Sequence, residues 1–172
     1  MINDNELRKY LKFSDILVET GTSSGAGVKR ALDIGYREVR SVELSERWYR
    51  YSLDLYKDDG RVKLYNGRSE DYLATMVSGL DRCVIVLDAH PSGPHTAGHD
   101  DLMDKGLDSV YHQDNILVKE CEVLVSVSGN RHLILVDDQV GVNELLVKVL
   151  KCGYEFEYVS GVYMLCRPKW YV

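Results

Sequence analysis

Four short apolar runs in this 172-residue chain end in acids. Ile16-Leu17-Val18 leads to Glu19, Val39–Leu44 carries Glu43, Cys83–Leu87 leads to Asp88, and His132–Val136 leads to Asp137-Asp138. If these runs are parallel strands, the acids converge on one rim. A rim of carboxylates suits a ligand that presents hydroxyls, an ammonium or a bound cation, and it repels one made mainly of phosphate. A single acid after a strand is most simply a turn starter or a helix cap. Acids at four strand ends point to a shared site.

The second feature is a glycine loop, Glu19-Thr20-Gly21-Thr22-Ser23-Ser24-Gly25-Ala26-Gly27, between a strand and a helix. Glycines there let the chain turn tightly and bring backbone N–H groups close to a ligand. Their spacing is not the G-x-G-x-x-G of nicotinamide dinucleotide binders, and Lys29 follows Val28 rather than the glycine of a phosphate-cradling G-x-x-x-x-G-K-[ST]. The loop gains weight from Glu43, placed at the end of the second strand to accept hydrogen bonds from a ribose diol.

Positioning these groups takes an alternating scaffold. The pattern predicts a leading helix over Asn5–Phe13, a strand over Ile16–Val18, a helix over Gly25–Ile34 closed by Gly35, and a strand over Val39–Leu44. A helix over Glu46–Tyr56, a strand over Val62–Tyr65 and a helix over Ser69–Val77 follow. Cys83–Leu87 is apolar throughout, as in a strand buried on both faces. Pro91–Gln113 holds three of the five histidines with little periodicity, so it reads as a long loop or lid over the rim. Asn115–Val127 returns to helix, His132–Val136 is the fifth strand, and Val142–Leu150 is a helix closed by Gly153. Tyr154–Val159 and Val162–Arg167 around Ser160-Gly161 read as a β-hairpin. The fold class is therefore α/β: one Rossmann-like, doubly wound domain over residues 1–172, mostly parallel, with a C-terminal antiparallel hairpin. In such sheets, ligands bind beyond the carboxyl ends of the strands.

Composition narrows the function classes. Lys and Arg number 21 against 27 Asp and Glu, a net charge of −6, and an acidic domain is a poor binder of a phosphate backbone, so no nucleic-acid partner is expected. No apolar stretch is long enough to cross a bilayer, so no membrane partner is expected either. The N-terminus lacks the apolar core of a signal peptide. Cys83, Cys121, Cys152 and Cys166 form no CxxC pair and read as reduced thiols, which fits a cytoplasmic protein.

The segments V-E-T-G-T-S-S-G-A-G, V-E-L-S, N-G-R-S and V-L-D-A-H resemble class I S-adenosylmethionine-dependent methyltransferases, from roughly Ile16 to Arg167. L-D-A-H-P-S-G-P-H-T-A-G and L-I-L-V-D-D-Q look like a group of small members of that family. The resemblance implies S-adenosyl-L-methionine as cofactor. Its site would draw on Glu19, Thr20, Gly21, Thr22, Ser24 and Gly25, on Glu43 and Leu44, on Arg68 and Ser69, and on Asp88 and Ala89. Glu19 and Gly21 would lie near the methionine moiety and Glu43 would hold the ribose. Arg68 departs from the acid that many members carry beside the adenine, and Thr22–Ser24 loosen the usual glycine pattern.

Asp88, Asp137 and Asp138 resemble the aspartates that hold magnesium in certain O-methyltransferases acting on sugars, which implies Mg2+ or Mn2+. His90 stands where those enzymes carry an acid; with Asp88 it would act on the acceptor as a base, or else ligate the metal or anchor the lid. D-A-H also occurs in binuclear manganese ureohydrolases, but Ser92 replaces the aspartate expected there. Glu120 falls where the small group has Glu and reads as a solvent-facing helix residue. The expected activity is O-methylation of a small hydroxylated acceptor by a chain that could dimerise. The alternatives are, from a different class, a cofactor-binding domain without independent catalysis, partner-dependent or regulatory, and, behind it, an NAD-dependent oxidoreductase.

Overall fold

Val84–Leu87 and Leu133–Val136 are apolar at every position, and every one of these residues is buried, as strands covered by helices on both faces require. A computed structural model describes residues 2–89, 116–136, 151–159 and 163–171. In chain order the elements are α1 Asp4–Tyr10, β1 Ile16–Thr20, α2 Ala26–Ile34, β2 Glu38–Glu43, α3 Glu46–Tyr56, β3 Val62–Asn66, α4 Ser69–Val77, β4 Val84–Leu87, α5 Ile116–Ser128, β5 Leu133–Val136, β6 Tyr154–Val159 and β7 Tyr163–Pro168. The strands form one sheet in the order β3-β2-β1-β4-β5-β7-β6. The first five are parallel, and β7 runs antiparallel to both β5 and β6. This is the Rossmann-like, doubly wound sheet with a terminal antiparallel pair that the alternation predicts.

Period-two alternation divides the core between two layers. Val18, Ile85, Leu87 and Ile134 face Leu73 and Met76 of α4 and Leu117 and Leu124 of α5. Leu17, Val84, Leu133 and Leu135 face Leu7 and Tyr10 of α1 and Val28, Ala31 and Ile34 of α2. Each such side chain contributes about 1.5–3 kcal/mol relative to exposure, which fixes where the strands' carboxyl ends fall. The register aligns those ends: Thr20 pairs with Val42 and Leu87, and Leu87 pairs with Val136.

The predicted elements lie within a few residues of the observed ones, with the largest difference at the N-terminus. There the helix ends at Tyr10 and a turn carries the chain to Phe13, whose N–H bonds back to the Tyr10 carbonyl. Glu120 corrects the expectation of a solvent-facing residue: it is fully buried, because α5 also buries Ile116 and Leu124 one turn to either side. The helix is covered by both the sheet and α4, so its buried face is wider than a surface helix needs. The Pro91–Gln113 loop, the Val142–Leu150 helix and the Ser160-Gly161 turn lie outside the described residues. Among the described residues no helix is long and apolar enough to cross a membrane.

Candidate functional site

The strand order reverses between β1 and β4, since β1 connects outward to β2 and β3 while β4 leads to β5. That reversal opens a crevice at the carboxyl ends of β1 and β4. Thr20 Oγ1 accepts from the Asp88 N–H at 3.1 Å and ties the two strand ends together. One residue on, Gly21 has φ +84°, and a β-carbon there would come within 2.5 Å of the Asp88 carbonyl oxygen. Only glycine lets the loop cross this close to the β4 end.

The loop is then held from the far side by α3. Tyr56 Oη donates to the Gly25 carbonyl at 2.7 Å, and Ser52 Oγ donates to the Ser23 carbonyl at 3.1 Å. Ser23 itself has φ +49°, a conformation that costs a non-glycine residue of order 1 kcal/mol. Its N–H donates to Glu43 Oε2 at 2.6 Å, so bonds on both sides of the residue hold it there. The other oxygen of Glu43, Oε1, accepts from the Ser45 N–H at 2.8 Å. Glu43 thus couples the glycine loop to the turn after β2.

Glu19 is the most perturbed group here. It is 8% exposed, and burial pushes its carboxyl up to about 8 from the ordinary carboxylate range. The Ser41 hydroxyl opposes that shift by donating to Glu19 Oε2 at 2.9 Å, whereas the nearby charges of Asp88 and Glu43 add to it. Thr22 Oγ1 lies 2.6 Å from Ser41 Oγ and extends the buried chain of polar groups back to the loop. Sequence reasoning missed Ser41. It stands in register with Glu19 on the adjacent strand, a relation that exists only once β1 and β2 pair.

A cleft of about 190 Å3 is lined by Glu19, Gly21, Thr22, Ser24, Arg30 and Asp88, with Ile2 and Leu7 from the N-terminal segment closing one side. Ligand pockets usually measure ~300–1,000 Å3, so this cleft takes one end of an extended ligand. Glu43 lies beyond it, along the glycine loop. Leu44 and Ala89 are half-buried beside their strand ends. Farther along the edge, Arg68 is paired with Glu70 at 2.7 Å, while Ser69 Oγ is buried without a hydrogen-bond partner among the described residues. Of the expected metal and base residues, Asp88 is described, whereas His90, Asp137 and Asp138 lie outside the described residues. Among the described residues no group of three or more His, Cys, Asp or Glu could hold a metal ion. All four cysteines are free, and burial raises the Cys83 and Cys166 thiols well above their ordinary range.

No family model matches the sequence, and no curated protein matches it. Solved structures do. The SAH-bound methyltransferase PaMTH1 from Podospora anserina superposes with a TM-score of 0.62 at 15% identity, over 96% of this chain and 76% of its own. A precorrin-6y C5,15-methyltransferase from Geobacter metallireducens gives 0.59 at 12% identity, over 96% of this chain and 87% of its own. Fibrillarin from Aeropyrum pernix, in complex with natively bound S-adenosyl-L-methionine, gives 0.54 at 16% identity, over 88% of this chain and 65% of its own. At these identities the likeness is one of fold: a seven-stranded Rossmann-like sheet shared with methyltransferases.

Proposed function

We propose that the chain is an S-adenosylmethionine-dependent methyltransferase acting on an oxygen of a small hydroxylated acceptor. The observation that carries this reading is the crevice at the β1–β4 reversal, where Gly21 closes on Asp88 and the neighbouring Glu43 is bound to the glycine loop. The shared fold supports it, since the PaMTH1 and fibrillarin structures hold SAH and S-adenosyl-L-methionine respectively. The residues present fit such a cofactor. Glu19, Thr20, Gly21, Thr22, Ser24 and Gly25 would receive its methionine end and Glu43 its ribose hydroxyls. Leu44, Arg68 and Ser69 would receive its base, a place for which the unpartnered Ser69 hydroxyl is suited. Asp88 and Ala89 would form the floor between the two ends. When bound, the cofactor supplies an electrophilic methyl group on a sulfonium.

The chain's own task is to hold the acceptor oxygen in line with that methyl and to take its proton. We assign the proton to His90, two residues past Asp88, since an imidazole titrates near neutrality. A magnesium or manganese ion would draw on Asp88, Asp137 and Asp138, oxygen donors of the kind both ions prefer. Bound there it would lower the pKa of an acceptor hydroxyl.

Transfer of a radiolabelled methyl group to a panel of vicinal diols and phenols tests catalysis. Label is expected in an acceptor oxygen, and loss of His90 is expected to abolish it. Tight cofactor binding with no transfer to any acceptor would leave a cofactor-binding domain without chemistry of its own.

A further inference from the structure

Ser52 is the one buried residue of α3. Ser52 and Tyr56 turn toward the glycine loop, whereas Tyr51 and Leu55 are 55% and 53% exposed. Trp48, Tyr51 and Leu55 stand three and four residues apart, the spacing of successive seam positions in a heptad, so they share one face of the helix. The Trp48 and Tyr51 rings meet edge to face with centroids 5.6 Å apart, which joins them into an apolar ridge. Contiguous apolar surface of this kind marks interaction sites. A charge precedes each end of the ridge: Arg47 stands before Trp48, and Asp54 before Leu55. Seven residues apart, the two flank the same edge of the ridge with opposite signs.

We infer that this ridge is a self-association surface, on which α3 of a second copy packs antiparallel about a two-fold axis beside Tyr51. Trp48 then meets the partner's Leu55, and the two Tyr51 side chains meet near the axis. Charge selects this occupant and this direction. The two-fold sets Arg47 beside the partner's Asp54 and Asp54 beside the partner's Arg47, closing two ion pairs with one surface. A parallel pair stands like residues side by side and sets no acid opposite Arg47. Within its own chain Arg47 lies over the Trp48 ring, 5.8 Å from its centroid, and forms no ion pair among the described residues. Asp54 Oδ1 lies 2.9 Å from Lys57 Nζ in an exposed pair, a kind that contributes little, and its second oxygen can accept from a guanidinium. One short helix pair is smaller than the ~800 Å2 per partner of a standard interface, so the dimer is a weak one. The inference does not rest on the function proposed above.

Sedimentation equilibrium of the full chain over a wide concentration range tests it. The wild type is expected to show a reversible monomer–dimer equilibrium with a dissociation constant on the order of 100 µM. Arg47→Glu alone and Asp54→Arg alone each set like charges across the two-fold, and each is expected to weaken association at least ~10-fold. An equimolar mixture of the two variants is expected to recover it, because the all-acidic edge of one meets the all-basic edge of the other. The doubly substituted chain, with the charges exchanged, is expected to associate like the wild type. Should a charge variant fail to fold, Tyr51→Glu places two acids together at the axis of the same ridge and is expected to abolish association. A wild type that stays monomeric throughout would overturn the pairing and leave the ridge to a partner of another kind. Association undiminished in Tyr51→Glu, or a mixture no stronger than either charge variant alone, would overturn it equally.

Discussion

Gly27 leaves room for the Glu19 carboxyl and nothing else: a β-carbon built on it overlaps Glu19 Oε1 and comes within 2.8 Å of Cδ. Two principles then give opposite signs for Gly27→Ala. Helix propensity favours alanine in α2 by roughly 0.5–1 kcal/mol. Overpacking against a buried carboxyl costs about 1–3 kcal/mol. The contact is expected to win, so denaturant unfolding should show net destabilisation. Gly60→Ala, where a β-carbon meets nothing within 4 Å, should stay within about 0.5 kcal/mol of wild type.

The same carboxyl sets a pH dependence. Its native pKa of about 8 lies above its ordinary value of 4.5, so the folded state holds a proton that the unfolded state releases. The stability this contributes is complete below about pH 4.5 and is lost as pH rises through about 8. The slope in that window approaches about 1.4 kcal/mol per pH unit. Glu19→Gln keeps the shape and cannot ionise, so the difference between wild type and variant should change steadily from pH 5 to pH 8. Parallel stability curves would contradict the burial argument.

Glu43 offers a second substitution with a clear direction. Its two oxygens accept from the N–H groups of Ser23 and Ser45, and glutamine can serve only one of them through its carbonyl. Glu43→Gln is expected to lose about 1–3 kcal/mol of stability and to weaken S-adenosylhomocysteine binding at least ~10-fold. Glu46→Gln removes only the exposed pair with Arg50 and should change stability by less than about 1 kcal/mol.

Local signals carried most of the scaffold. The spans read for α3, α4 and β6 coincide with the observed ones, and α3 opens at Ser45, whose hydroxyl accepts from the Trp48 N–H. The strand-end acids were legible because each closes an apolar run, and the parallel sheet brings Glu19, Glu43 and Asp88 to one edge. What the sequence hid depends on contacts between distant segments. Ser41 looks like an ordinary polar residue between Arg40 and Val42 until pairing sets it beside Glu19. Glu120 looks exposed until α5 is covered on two sides. Arg30 looks like helix surface until the N-terminal segment, held also by the Tyr36 hydroxyl on the Leu7 carbonyl, folds over to meet it.

The metal makes a separate prediction. Magnesium or manganese is expected to raise the melting temperature of the wild type by a few degrees, as any ligand bound only by the folded state does. Asp137→Ala should abolish that increment while leaving S-adenosylhomocysteine binding intact. An equal increment in both proteins would place the ion elsewhere.

The central claim is that the crevice between β1 and β4 binds S-adenosylmethionine, and calorimetric titration of the pure protein tests it most directly. S-adenosylmethionine and S-adenosylhomocysteine are each expected to bind with one-to-one stoichiometry and NAD not to bind, because the glycine spacing differs from that of nicotinamide dinucleotide sites. Heat from neither adenosyl compound, or saturable binding of NAD in their place, would contradict the account.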